Sequence, residues 1–421
     1  MELSRDNLKT PLIRAGSGTT PIATAGDKPP TIHRLSLILL VVFRLTRSIA
    51  SAMIAVAIPY LVLKKMHSSS LVLGLLYMVG LASTGLLGLA VGQLADRWSR
   101  KGTLLLTGIM VPASALIVYS FHDLPLLFVA SLVGGFAATG SLIGGGVGGA
   151  AQPVQTAVIA DLTSLHNRTL YYSVLAFLSG IAGGGGALLV RLFTIHDTFL
   201  IAGAISFVGL LALLPMKIPL RTAGPPRTVA GRKASRKVIV KFGITGVLNG
   251  FSQGLITPFL IPFFVLVYGL AKSQMATYAA AATILGACSL LAAPILEKRL
   301  GFVRGIAYSR GFGTVLLVLM AIWHNLDIAL AVYMLTPALR IVAMPVQQTA
   351  ITSYVDTNDV GRALAVNQVA RVSASSGAIV CTGYLFDISA MEAPFFLYAL
   401  VMTANIYLYF KFFGAEKPDT I

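Results

Sequence analysis

Twelve apolar runs, each long enough to cross a hydrocarbon layer of roughly 30 Å as a helix, recur along this 421-residue chain. They fall near 35–63, 71–93, 103–121, 124–150, 169–192 and 197–215, and again near 242–268, 273–296, 306–323, 328–351, 364–386 and 394–413. The runs are continuous rather than alternating. That selects helices over a transmembrane barrel, since a helix satisfies its backbone hydrogen bonds within one segment. The composition agrees, with 56% hydrophobic and 11% charged residues, against about 25% charged in a soluble domain. The expected fold class is an all-α polytopic membrane protein.

The polar segments between the runs set the organisation. Residues 1–34 carry no apolar core and read as a disordered cytoplasmic tail rather than a signal peptide. Residues 35–216 form the first six-helix bundle and 242–413 the second, with 414–421 a short tail. Between the bundles, 217–241 is a basic cytoplasmic linker with eight Lys and Arg residues and no acid. Lys and Arg concentrate in the tail, the loop at Arg97–Lys101, the linker, "EKRLGFVR" and the C-terminus; the opposite loops hold chiefly Lys64, Lys65, Arg191 and Lys272. This positive-inside bias places both termini in the cytoplasm of a multi-pass protein, with the plasma membrane as the default location. It also accounts for the net charge of +17 through anionic lipid rather than nucleic acid.

A repeat supports two pseudo-symmetric halves. "AQPVQTAVIADLTSLHNR", Ala151 to Arg168, returns as "AMPVQQTAITSYVDTNDVGR", Ala343 to Arg362, each after the fourth run of its half. "QLADRWSRKG" has a degraded partner in "PILEKRLGFVRG", after the second run of the second half. Parallel repeats about an axis along the membrane normal are a transporter architecture.

The run Gly92-x-Leu94-Ala95-Asp96-Arg97-x-Ser99-Arg100-Lys101 resembles the loop 2–3 signature of the major facilitator superfamily, departing where Ser99 stands in place of Gly. The resemblance covers essentially the whole chain. It implies twelve transmembrane helices in two pseudo-symmetric six-helix bundles, a small-molecule substrate, no cofactor and a monomer in the lipid bilayer. It further implies that Asp96 faces the N-terminus of helix 11 and that Arg100 reaches Asp161, a latch broken when the inner gate opens. Glu297, Arg304, Arg168 and Arg362 would complete that gate, with Gly92, Arg97 and Lys101. The plainer alternative is that Arg97, Arg100 and Lys101 only enforce topology.

Ionisable groups at membrane depth cost about 2.5–3.5 kcal/mol for Arg at a helix centre, so they mark function. Arg44 and Arg47 lie three apart in the first run; Arg340 and Arg371 lie in the tenth and eleventh. No Asp or Glu falls in the middle of a run, and the six histidines lie in the tail, in loops or at run ends. Helices 1, 4, 7 and 10 line the central cavity in the family, so Arg47 and Arg340 are expected to meet there. Guanidinium groups without acids favour a carboxylate or phosphate ligand and disfavour a proton-coupled pump for cations. Equally, Arg44 can snorkel, and Arg340 can satisfy carbonyls freed by Pro337 and Pro345. Gln155, Asn249, Gln253 and Gln347 are candidate ligand contacts or helix–helix glue.

The glycine-rich stretches in the fourth and fifth runs lack the Lys-Ser/Thr of a phosphate loop and sit inside spans, so they serve helix approach. The fifth run weakly resembles the family's antiporter signature but lacks its Pro. Cys288 and Cys381 are read as packing residues, with no metal site. A transporter of a small solute, anionic if the buried arginines bind it, is the leading function, with drug or metabolite efflux as the alternative and a non-transporting receptor behind it. No dyad or nucleophile pair at membrane depth points to an enzyme.

Overall fold

The computed structural model describes residues 31–97, 99–121, 123–136, 151, 154–155, 158–159, 162, 165–217, 232–354 and 360–413. The described residues contain helices and no strand. The helices are α1 (Thr31–Pro59), α2 (Ser70–Arg97), α3 (Arg100–Ser120), α4 (Leu124–Gly134), α5 (Leu165–Leu189) and α6 (Ile195–Ala212). The second half holds α7 (Arg232–Ile256), α8 (Leu260–Val267), α9 (Lys272–Ser289), α10 (Ala293–Ile322), α11 (Leu326–Tyr354), α12 (Val360–Asp387) and α13 (Ala393–Phe413). Nine helical spans among the described residues are long and apolar enough to cross a membrane, and two shorter apolar helices accompany them.

Local chemistry explains where the elements depart from the apolar runs. α4 stops at Gly134 because Gly135 turns left-handed at φ 62°, and the rest of the fourth run, 137–150, lies outside the described residues. The seventh run is broken by the 3-10 turn Thr257–Phe259, where Pro258 lacks the N–H that a continuous helix needs. The loop expected between the eighth and ninth runs is instead a corner within α10, made by Gly301 at φ 70°. α7 begins at Arg232, within the segment expected as linker; 218–231, like 1–30 and 414–421, lies outside the described residues.

The apolar core is divided in an informative way. One cluster joins both halves, from Met53, Leu73 and Phe199 to Phe264, Met275 and Phe386. These residues lie toward the ends of the helices remote from the linker, which we call the distal side. At the terminal side the cores separate. Leu40, Phe43, Val91, Leu104 and Leu213 form one cluster, entirely from the first half. Ile239, Phe242, Ile306, Val346 and Tyr409 form another, entirely from the second. Two seams join the halves, α2 against α12 and α5 against α9, and the repeat relates one seam to the other. Among the described residues, the halves share a core distally and keep separate cores at the terminal side.

Candidate functional site

In the first half, Arg44 projects from α1 across to α5, where Nε donates to Ser179 Oγ at 3.0 Å; Nη1 donates to Gln155 Oε1 at 3.4 Å. Ser179 Oγ in turn donates to the Leu175 carbonyl at 2.6 Å. Arg47, one turn deeper, is only 7% exposed. Its guanidinium carbon lies 6.0 Å from the Phe43 ring centroid, and its buried Nε has no hydrogen-bond partner among the described residues. Leaving such a donor unpaired costs about 1–3 kcal/mol. Arg44 and Arg47 also lie close enough to repel.

In the second half, Arg340 of α11 donates from Nη1 to Thr257 Oγ1, in the 3-10 turn between α7 and α8. Its buried Nε has no partner among the described residues. α11 runs unbroken from Leu326 to Tyr354 through Pro337 and Pro345, and the hydrogen-bond partner found for Arg340 is a hydroxyl rather than a freed carbonyl. Arg371 donates from Nη2 to Gln368 Oε1 at 2.6 Å, one turn away on α12. Arg371 lies near enough to Arg340 for their charges to repel, and Arg310 near enough to Arg371.

Arg310 is the residue that sequence reasoning missed. It is 7% exposed, with Nη1 donating to Asn405 Oδ1 at 2.8 Å and Nη2 to Gln347 Oε1 at 2.7 Å. Its guanidinium lies 5.1 Å from the Tyr409 ring centroid. Asn405 Nδ2 continues the chain to the Thr245 carbonyl at 2.8 Å, so one buried network ties α7, α10, α11 and α13. Nine residues past the Gly301 corner, Arg310 stands about 13 Å along its helix. Arg310 is the fifth residue of the ninth run, 306–323, yet it was not counted among the charges at membrane depth; an Asn and a Gln in neighbouring apolar runs were the signal that it needed partners.

The expected amide ligands are therefore engaged. Gln347 accepts from Arg310, Gln155 accepts from Arg44, and Gln253 Nε2 donates to Asn249 Oδ1 at 3.1 Å. Arg47 and Arg340 do not appear as partners. Each is held by neighbours of its own half.

The expected terminal-side gate is only partly described. Gly92, Asp96 and Arg97 belong to the last turns of α2 rather than to a loop. Ser99 explains its departure from the usual Gly: it caps α3, its Oγ accepting from Gly102 N at 2.9 Å. Arg100 and Lys101 begin α3, and Lys101 Nζ donates to the Leu214 carbonyl at 2.6 Å, just past the end of α6 in the same half. Arg168 and Arg362 fall in the first turns of α5 and α12. Glu297 and exposed Arg304 flank the Gly301 corner, and Asp161 lies outside the described residues.

No curated protein matches the sequence. Solved structures do match the fold. A bacterial homologue of the human lysosomal transporter Spinster, inward-facing and occupied, superimposes with a TM-score of 0.72 at 14% identity, covering 92% of this chain and 97% of that one. The nucleoside transporter NupG gives 0.70 at 13% identity, covering 90% and 100%. The human organic anion transporter MFSD10 gives 0.62 at 13% identity, covering 91% and 100%. At such identities these likenesses concern the fold alone. A family model described as Major Facilitator Superfamily matches residues 40–379, most of the chain, and with the two-bundle fold and its distal closure it fixes the assignment: the protein is a member of the Major Facilitator Superfamily.

Proposed function

We propose that this protein is a secondary transporter that carries an anionic small solute by rocker-switch alternating access, with both termini in the cytoplasm. Membership in the family and the multi-pass helical fold make it a membrane protein of solute transport. The finer reading rests on one observation: arginines within the spans, Arg47 and Arg310 buried and Arg44, Arg340 and Arg371 half-buried, without acids beside them. Arg44, Arg47, Arg310, Arg340 and Arg371 all sit within helices, while the acids in described helices lie near helix ends or, for Glu297, ahead of the α10 corner.

Four of these arginines hydrogen-bond to neutral acceptors, which satisfy donors without cancelling charge. Arg47 and Arg340, one in each half, also keep a buried Nε without a partner among the described residues. A carboxylate or phosphoryl oxygen would satisfy such a donor and neutralise the charge together. The divided core supports the conformational part of the reading: with termini cytoplasmic, a molecule joined distally and split at the terminal side is inward-facing. The organic anion transporter among the fold relatives adds analogy only, because function lives in the site rather than the fold.

The test is thermal unfolding of the detergent-solubilised protein against matched organic phosphates, carboxylates, sugars and lipophilic cations. A ligand of the folded state at about 100 times its Kd adds about 2.7 kcal/mol of stability. Stabilisation by anions that disappears in Arg47→Ala and Arg340→Ala is the expected result. Stabilisation by neutral or cationic compounds, undiminished in those variants, refutes the anionic substrate.

A further inference from the structure

The distal closure includes a pair of charged locks that the loop 2–3 signature does not include. At the α2–α12 seam, the Asp387 carboxylate at the C-terminal end of α12 accepts from the first two backbone N–H groups of α2. Oδ1 lies 2.6 Å from Ser70 N and Oδ2 3.1 Å from Leu71 N. At the α5–α9 seam, Lys272 at the N-terminal end of α9 donates from Nζ to the Phe193 carbonyl, just past the end of α5, with Asp197 near enough to attract it.

The repeat makes these two contacts equivalent. α2 and α9 are the second spans of their halves, and α12 and α5 the fifth, so each seam joins the start of a second span to the end of a fifth. The chemistry is reversed between them. At one seam the fifth span supplies an anion to free N–H groups; at the other the second span supplies a cation to a free C=O. Both signs suit the partial charges of helix ends.

Beneath the locks the seams are close-fitting. A Cβ on Gly74 would lie 3.1 Å from the Ile379 carbonyl oxygen, and one on Gly383 would lie 2.8 Å from that of Ser70. Contact persists to mid-helix, where a Cβ on Gly85 would meet Val372 Cγ1 at 3.1 Å. One residue on, Leu86 is 71% exposed. The helices α2 and α12 have 28 residues each, and their described contacts cover the distal half of that length.

We infer that Asp387 and Lys272 are the paired distal gate of the transport cycle, made in the conformation seen here and broken whenever the distal side opens. Both charges sit at the ends of the closed seams, and the hydrogen bonds that each makes across its seam go to backbone groups, so the locks close on geometry rather than on a partner side chain. The inference rests on the alternating-access reading.

The test uses the full chain in lipid nanodiscs, with Cys288→Ser and Cys381→Ser to remove native thiols. Spin labels go at Phe121→Cys and Trp323→Cys, exposed positions on distal corners of opposite halves and remote in sequence from both locks. Pulsed electron–electron spectroscopy then reads the distance distribution. Asp387→Asn and Lys272→Met are expected to raise the longer-distance population about three- to tenfold each, the scale of a partly exposed helix cap. Asp387→Glu and Lys272→Arg should retain the parent distribution, which separates loss of the lock from misfolding. A parent with a second population that neither neutralising variant changes overturns the gate but leaves alternating access standing. A parent with one distance under every condition, saturating anion included, overturns both. Neutralised and charge-preserving variants shifting alike would overturn the gate as well.

Discussion

Replacing Gly250 by Ala should loosen the second half and its arginine site together. Gly246, Gly250 and Gly254 recur at four-residue spacing on α7 and face Asn367, Arg371 and Ser375 at the same spacing on α12, across the most extensive helix pair among the described residues. A Cβ on Gly250 would lie 2.6 Å from Arg371 Cα and 2.7 Å from its carbonyl carbon. Carbon–carbon contacts settle at about 3.5–4.0 Å, so the helices must part by about 1 Å. The obstruction is backbone and cannot rotate away. Overpacking of this kind costs about 1–3 kcal/mol, partly offset by about 0.5–1 kcal/mol from replacing Gly within a helix. Thermal unfolding in detergent should therefore show a net loss of about 1 kcal/mol, with weaker ligand stabilisation because Arg371 moves. Gly185→Ala and Gly377→Ala are the controls, since nothing lies within 4 Å of a Cβ at either, and they should be neutral or slightly stabilising. A Gly250→Ala midpoint equal to that of the controls would refute the close-approach argument.

Three other substitutions probe separate features. Arg310→Met strands the Asn405 and Gln347 acceptors in a buried network and should cost about 1–3 kcal/mol in thermal unfolding; Arg310→Lys, with one point charge for two acceptors, should recover only part. Ser99→Ala removes the α3 cap and should cost about 1 kcal/mol, read as a lower unfolding midpoint. Tyr60→Phe deletes the 2.9 Å bond from the hydroxyl to the Leu270 carbonyl between the halves. Worth about 1 kcal/mol, that loss should raise the distally open population about fivefold in the same spin-labelled background.

Most of the fold was legible because lipid imposes it. A run of about 20 apolar residues has little choice but a helix, so Leu326–Tyr354 and Ala393–Phe413 lie within a few residues of the runs that announced them. The departures fall where single residues override the average: Gly135 turns the chain left-handed after α4, and Gly301 replaces a loop with a corner. The site was less legible. Arg44, Arg47, Arg340 and Arg371 stood out by depth, but partners depend on which face each side chain takes. Arg310, near the start of the ninth run, was passed over because it lies close to the basic residues that precede that run. The distal contacts of Asp387 and Lys272 could not have been read, because their partners are backbone groups that carry no sequence signal.

Under the proposed alternating access, the division of the core sets a thermodynamic condition on turnover. Opening the distal side wets apolar surface that both halves now keep dry, around residues such as Met53 and Phe264. That exposure raises heat capacity, and closing the terminal side over apolar surface still exposed there would lower it again. If the areas match, the equilibrium between conformations varies little in slope with temperature; a larger distal area gives a curved temperature dependence, with warming strengthening the closed distal side over the range where hydrophobic association grows.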